Sequence, residues 1–448
     1  MKDKTLSRRD FMGAAAAIGA FTVVPRHVLG GAGNTPPSEK LNIAGIGAGG
    51  QGASDLRHME SENIVALCDV DWRRARGMFN RHPDARKYRD FREMLDKEDD
   101  KVDAVVVAIP DHMHAAASMV AIKRGKHVYC EKPLTHDVYE ARVLAEAAGK
   151  AGVATQMGNQ GQASEETRLM CETIWDGAIG EVREVHVWTD RPLRGINDVY
   201  WPQGVKRPEE TPPVPDEVAW DLWLGTAPER PYHPDYMPFR WRGWWDFGTG
   251  ALGDIGCHRI DPIFRALKLG HPTSVEACCT LVNDETYPVA SRVTYGFPAR
   301  EGMAPVTLHW YDGGMKPPRP KELEDGRKWD TNGILFVGDE GTMYETRLLP
   351  ESRQRAYGKP PQMIERSPGH YVEWIQACKG GKPAGSNFPD HAGLLAQVVL
   401  LGNLALRSSL KEKVTRARLM WDGEAMKVTN MPEANEFLRR TYRQGWTL

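Results

Sequence analysis

Cysteine is scarce in this chain: seven among 448 residues, Cys68, Cys130, Cys171, Cys257, Cys278, Cys279 and Cys378. The number is odd and no C-x-x-C pair occurs, so neither a disulfide framework nor a cysteine zinc site is offered. Buried, unpaired thiols are the expectation. Net charge is also small, −2, without the basic excess that a nucleic-acid binder needs. Beyond the N-terminus no apolar run reaches the roughly 20 residues of a spanning helix. No membrane span is therefore expected in the mature chain. Repeats are missing as well, which excludes a solenoid or propeller. The remainder is an ordinary globular mixture, 41% hydrophobic and 26% charged, long enough for roughly two or three domains.

The N-terminus has a character of its own. Ser7-Arg8-Arg9-Asp10-Phe11-Met12 precedes a weakly apolar stretch rich in Ala and Gly. A basic start, twin arginines and a short apolar segment fit a twin-arginine export signal. Residues 1–33 are read as that signal and the start of a linker, and the mature chain as periplasmic or secreted. Asn34–Ser38 continues the linker.

From residue 39 strands and helices alternate. Leu41–Gly47, Asn63–Val70, Asp103–Pro110, His127–Cys130 and Val153–Met157 read as strands. Helical patterns of 10–15 residues separate several of them, as in a parallel, doubly wound sheet. After about residue 160 the rhythm changes. Glu181–Thr189, Thr273–Val282, Ser291–Phe297, Val306–Trp310 and Gly333–Phe336 are strand-like with no regular helices between them. The expected fold is α/β: an N-terminal Rossmann-type domain over 39–160, then an α+β domain with an open, mainly antiparallel sheet over 161–430. A Trp- and Pro-rich insert (190–247) interrupts the second domain, and 431–448 is a C-terminal tail. The apolar helix Ala392–Leu406 is expected to return to the first domain.

Gly47-Ala48-Gly49-Gly50-Gln51-Gly52 is G-x-G-x-x-G, directly between a strand and a helix. Gly47 permits the turn, Gly49 admits a pyrophosphate to the backbone, and Gly52 lets helix and strand pack closely. The helix N-terminus offers N–H groups to phosphate. Asp69 lies at the end of the second strand, where an acid bonds a ribose 2′-hydroxyl and disfavours a 2′-phosphate. The cofactor read from this is NAD; Arg73 and Arg74 follow closely and leave NADP open. Pro110, His114, Glu131, Lys132 and Asn159 stand at or just after strand ends and complete the cofactor set with Gly50 and Gln51.

Two stretches carry the chemistry. Glu131-Lys132-Pro133 follows a strand end, which puts Lys132 at the ligand crevice of such a sheet. In Gly253-Asp254-Ile255-Gly256-Cys257-His258, Asp254 and His258 share a helix face. A histidine suits proton transfer near neutral pH, and a lysine stabilises an alkoxide. His112 and His114 lack an acidic or thiol partner and do not face one way on a helix, so no metal is expected. Together these motifs resemble the glucose–fructose oxidoreductase / inositol dehydrogenase (Gfo/Idh/MocA) family, over roughly residues 40–430. The resemblance implies that Lys132, Asp254 and His258 meet over the nicotinamide as the catalytic residues. With the N-terminal signal it points to a secreted branch of predicted dehydrogenases.

Seven of the fourteen tryptophans lie between Trp188 and Trp245. Indole faces stack on sugars, and acids and arginines bond hydroxyls; they also pack interfaces. Trp188, Trp245, Asp190 and Arg191 are placed with Lys132, Asp254 and His258 around a carbohydrate. The function expected is oxidation of a secondary hydroxyl of a sugar or glycoside, with NAD held tightly and recycled because free NAD is scarce outside the cytoplasm. Two other readings stand beside it: an NAD-dependent glycosidase acting by transient oxidation and elimination, and a non-catalytic cofactor- or sugar-binding protein. A homodimer or homotetramer through the open sheet is expected.

Overall fold

The structure, a computed structural model, describes residues 39–195, 198–411 and 417–448. The twin-arginine stretch lies outside the described residues.

The first unit runs β1 (Asn42–Ile46), α1 (Gly50–His58), β2 (Asn63–Cys68), α2 (Trp72–Arg81), β3 (Arg86–Tyr88), α3 (Phe91–Lys97), β4 (Ala104–Val107), α4 (Asp111–Lys123), β5 (His127–Glu131), α5 (Val138–Ala151) and β6 (Thr155–Gly158). Its six strands form one parallel sheet in the order β3-β2-β1-β4-β5-β6. Helices cover both faces, so β4 is buried at every residue and shows no polar alternation. Aspartates start the helices: Asp71 caps α2, Asp90 caps α3, and Asp137 with Glu140 forms a capping box on α5. Strand order reverses between β1 and β4, and a crevice opens there at the strands' C-terminal ends.

The second unit holds α6 (Glu165–Trp175), β7 (Val182–Trp188), the small hairpin β8 (Leu193–Gly195) and β9 (Asp198–Val199), α7 (Trp220–Leu224), α8 (Gly250–Arg259), α9 (Asp261–Ala266), β10 (Ser274–Cys279), β11 (Ser291–Phe297) and β12 (Val306–Tyr311). It continues through β13 (Gly333–Gly338), β14 (Thr342–Tyr344), β15 (Arg347–Leu349), α10 (Glu351–Tyr357), α11 (His370–Cys378), α12 (Gly393–Ser408), β16 (Leu419–Asp422) and β17 (Lys427–Val428). Nine strands form a sheet in the order β15-β14-β13-β7-β12-β11-β10-β16-β17. Only β7 and β12 pair in parallel; the other neighbours are antiparallel. The expected fold class, a parallel α/β domain followed by a mainly antiparallel sheet, is the one observed.

One face of this sheet is the core. Val185, Val187, Val293, Tyr295, Leu308 and Trp310 point inward and are buried. Helix α12 is apolar around almost its whole circumference, as a helix buried on all sides must be. It packs on the sheet, on α8 and on α5 of the first unit. A single apolar cluster therefore runs through both units.

The insert has a core of its own. Val218, Trp223, Leu224, Tyr236, Trp244 and Phe247 are buried together. His112 of α4 sits between the Trp223 and Phe247 carbonyls, at 3.0 and 3.2 Å, which ties the insert to the first unit. The C-terminal segment also lies on the first unit. Arg440 Nη2 donates to Glu140 Oε1 at 2.9 Å, and the Tyr442 hydroxyl donates to the same oxygen at 2.6 Å. Cys68, Cys130, Cys171 and Cys257 are buried, whereas Cys278 is exposed and Cys279 and Cys378 are half-buried, so burial holds for four of the seven. Among the described residues no helix is long and apolar enough to cross a membrane.

Candidate active site

The glycine loop shapes the outer end of the crevice. Gly47 has φ +89°, and a Cβ there would collide with the Ala108 carbonyl of the neighbouring strand end. A Cβ on Gly52 would collide with the Gly47 carbonyl, so only glycine lets α1 start this close to β1. Asp69 fastens the loop. Its carboxylate accepts from Ala48 N at 2.9 Å and Asp71 N at 2.8 Å. Burial raises its pKa to about 6 against those two bonds. Arg73 turns away to pair with Asp71 at 2.8 Å, whereas Arg74 and Arg89 line the crevice beside Asp69.

The crevice has a volume of about 550 Å³ and runs from Gly47, Gly49, Gly50 and Gln51 past Pro110 and His114 to Glu131, Lys132 and His258. A bare loop that a Cβ would fill, an N-terminal helix turn and an acid at the end of β2 are the fittings a dinucleotide requires. These residues fit NAD: the loop amides for the pyrophosphate, Asp69 for a ribose and the far end for the nicotinamide.

At that far end three helices and strands converge. The Thr249 hydroxyl donates to Asp111 Oδ2 at 2.6 Å, and Asn403 Nδ2 donates to the Thr249 carbonyl at 2.8 Å. The start of α8 is thereby fixed to α4 on one side and α12 on the other. Lys132, after β5, donates to the Asp254 carbonyl at 2.9 Å and to Asp254 Oδ1 at 2.8 Å. Arg242 Nε donates to the same Oδ1 at 2.9 Å. Arg242 is itself sandwiched, 4.1 Å from the Phe239 ring and 4.2 Å from the Trp241 ring. Burial alone would raise the Asp254 carboxyl, but Lys132 and Arg242 outweigh it and hold it well below the usual range. Two cations on one carboxylate leave the site with a positive excess, which favours a developing oxyanion.

His258 stands one helical turn beyond Asp254. Burial, then the Lys132 ammonium, lower its pKa to about 3. It is a neutral imidazole near pH 7, and among the described residues its ring makes no hydrogen bond. The site therefore pairs a free base with a bound ammonium that has one N–H left over.

Other predicted residues have different surroundings. His114 has both ring nitrogens 2.7 Å from carbonyl oxygens, those of Pro133 and Ile109. Both nitrogens are occupied by carbonyls, which leaves none for a ligand and favours the charged ring with a proton on each. Burial opposes this charge, but Cys130, Asp111 and the Pro133 carbonyl prevail and raise the pKa to about 10. Glu131 accepts from Gln160 at 2.8 Å, and burial pushes its carboxyl up. Asn159 is fully buried and its amide nitrogen and oxygen have no partner, while its neighbour Gln160 lines the crevice.

Trp188, Trp245, Asp190 and Arg191, read as sugar contacts in and beside the insert, do not line the crevice. Trp188 is buried against Trp329 and Tyr344, with its N–H on the Asp330 carbonyl at 3.0 Å. Trp245 is buried against Tyr287 and donates to the Asn283 carbonyl at 2.9 Å. Asp190 pairs with Arg191 at 2.6 Å, and Arg191 lies 3.7 Å above the Tyr200 ring. Trp223, Trp241 and Phe239 face the crevice instead. Arg242 is the crevice side chain bound to Asp254 that sequence reasoning did not single out. Its signal was its place between tryptophans, in Arg240-Trp241-Arg242-Gly243, where a cation is held by ring faces.

Residues 41–159 match a family described as an oxidoreductase family with an NAD-binding Rossmann fold, and residues 192–301 match its C-terminal alpha/beta domain. An uncharacterized oxidoreductase, ORF334 of Rhizobium meliloti, is 32% identical over 143 residues, 31% of this chain and 42% of that protein. Inositol 2-dehydrogenase of Rubrobacter xylanophilus is 31% identical over 148 residues, 32% of this chain and 42% of that one. The chain thus spans less than half the length of these curated relatives. Among solved structures, the WlbA dehydrogenase of Bordetella pertussis in complex with NADH and UDP-GlcNAcA covers 86% of this chain and 99% of its own, with a TM-score of 0.57 and 18% identity. GenD2 from gentamicin A biosynthesis, in complex with NAD, covers 90% and 100%, with a TM-score of 0.55 and 20% identity. At such identities the likeness is one of fold.

Proposed function

Because the chain belongs to the Gfo/Idh/MocA oxidoreductase family, we propose that it is an NAD-dependent dehydrogenase of a secondary hydroxyl on a sugar or glycoside. The observation that carries this is Lys132, clamped by Asp254 at the inner end of the nucleotide crevice with neutral His258 one turn away. NAD, when bound, supplies the hydride acceptor. The remaining Lys132 N–H holds the substrate oxygen, and a His258 ring nitrogen takes its proton. Arg242 and Lys132 hold the negative charge left on that oxygen. Asp254 orients both cations through one carboxylate oxygen. The inositol dehydrogenases and the UDP-sugar complex among its relatives support a polyhydroxylated substrate.

The test is NADH formation with a panel of inositols, hexoses and glycosides. Lys132→Ala and His258→Ala are expected to lower turnover by about 10²- to 10⁴-fold with NAD binding intact. Turnover unchanged in both variants overturns the proposal.

Residues 1–33 add a finer reading: export by the twin-arginine route with NAD already seated and recycled in place. Self-association through the outer face of the nine-stranded sheet belongs to the same proposal. Protein purified natively from the exporting cell should release about one NAD(H) per chain on denaturation. Release of none, with no tight rebinding, sinks the recycling idea while leaving dehydrogenation to the first assay.

A further inference from the structure

The outer face of the nine-stranded sheet carries a cluster that the proposed reaction does not use. Glu184 and His186 are two residues apart on β7 and so point to the same face. His309 on β12 is the direct neighbour of His186 across the parallel pairing. Inward-facing Val185 and Val187 belong to the core, so the three polar side chains lie on the opposite side of the sheet. None of them lines the nucleotide crevice.

The three groups converge on a point. Glu184 Oε1 is 3.3 Å from His186 Nε2 and 3.0 Å from His309 Nε2. One ligand atom from each residue lies within 4.8 Å of the others. Tetrahedral ligands about 2.0–2.1 Å from a zinc ion sit roughly 3.3 Å apart, so small side-chain adjustments would close this set on a cation. Both rings are oriented from behind. The Tyr311 hydroxyl is 3.1 Å from His186 Nδ1, and the Thr294 hydroxyl is 3.0 Å from His309 Nδ1. Such outer partners fix the tautomer that leaves Nε2 free to ligate. The rings are also stacked, with centroids 5.1 Å apart and planes 17° from parallel. Glu184 is 42% exposed in the single chain, on the face that self-association would cover, so the fourth position falls to water or to a second copy of this chain.

We propose that Glu184, His186 and His309 form a binding site for a divalent transition-metal ion of the zinc class. Two imidazoles and one carboxylate suit such an ion better than magnesium or calcium, which favour all-oxygen shells.

The experiment uses the untagged full chain, stripped with a chelator, equilibrated with zinc chloride and dialysed. Metal is counted by mass spectrometry, and cobalt(II) spectra are recorded in parallel. About one zinc per chain is expected in the wild type, with at least a tenfold loss of affinity in Glu184→Gln and none retained in His186→Ala/His309→Ala. NAD binding should be the same in all. Zinc retention no greater in the wild type than in the double variant overturns the site. Should the double variant fail to fold, the wild-type cobalt spectrum decides. Absorption bands of a low-symmetry nitrogen–oxygen site that are weakened in His309→Gln uphold the proposal; the spectrum of free aqueous cobalt overturns it.

Discussion

Asp254 is the hinge of the site's electrostatics, because two cations share one of its oxygens. Arg242→Ala removes one of them. Lys132 should then be held more tightly by Asp254 and lend less to the substrate. Turnover is expected to fall about ten- to a hundredfold with NAD affinity unchanged, read by steady-state kinetics beside a binding titration. His258 gives a pH signature. Its pKa lies near 3 rather than the usual 6.5, so the base form persists through mild acid. No loss of turnover near pH 6.5 is expected from this group at saturating NAD; its limb comes at lower pH. The sign for stability is the same. An unfolded histidine takes up a proton below about 6.5 while folded His258 does not, so its contribution is present above that pH and is lost as pH falls. Lys132→Met should move the His258 pKa upward, as followed by NMR of its ring protons. An unmoved titration would contradict the proximity argument.

At the scale of elements, capping chemistry and a late segment meet at α5. Asp137 and Glu140 start the helix, and Glu140 is buried with Arg440 as its cation. Arg440→Ala leaves an uncompensated buried carboxylate and should cost about 3–5 kcal/mol in urea denaturation. The strands around the crevice were legible in the sequence for a physical reason. β1, β2, β4 and β5 are continuous apolar runs bounded by glycine, proline or acid, and their observed ends fall close to the predicted ones. Short β3, β14 and β15 carried no such run, being three residues each. Helix α2 was hidden because Trp72–Arg81 buries only Ala75 and Met78 and is otherwise charged or half-exposed. Of the site, Lys132 and His258 could be placed because strand ends and helix spacing fix their direction. The insert could not be read that way. Its tryptophans pack by tertiary contact alone, so Trp245 gave no local sign that it turns inward while Trp241 turns to the crevice.

For the whole molecule, the decisive feature is the apolar cluster shared by both sheets through α12. Two units so joined should unfold together. Calorimetry is expected to show one transition with equal calorimetric and van't Hoff enthalpies; two resolved transitions would mean that α12 does not couple them. The same architecture sets an order of events during synthesis. Glu140 and the cation that neutralises it are separated by 300 residues. The nucleotide-binding half leaves the ribosome first, yet it waits with an unmatched acid until Arg440 has been made. Until then the acid has only its capping-box partners and water, and only a chain extended through Arg440 can bury it in a matched pair.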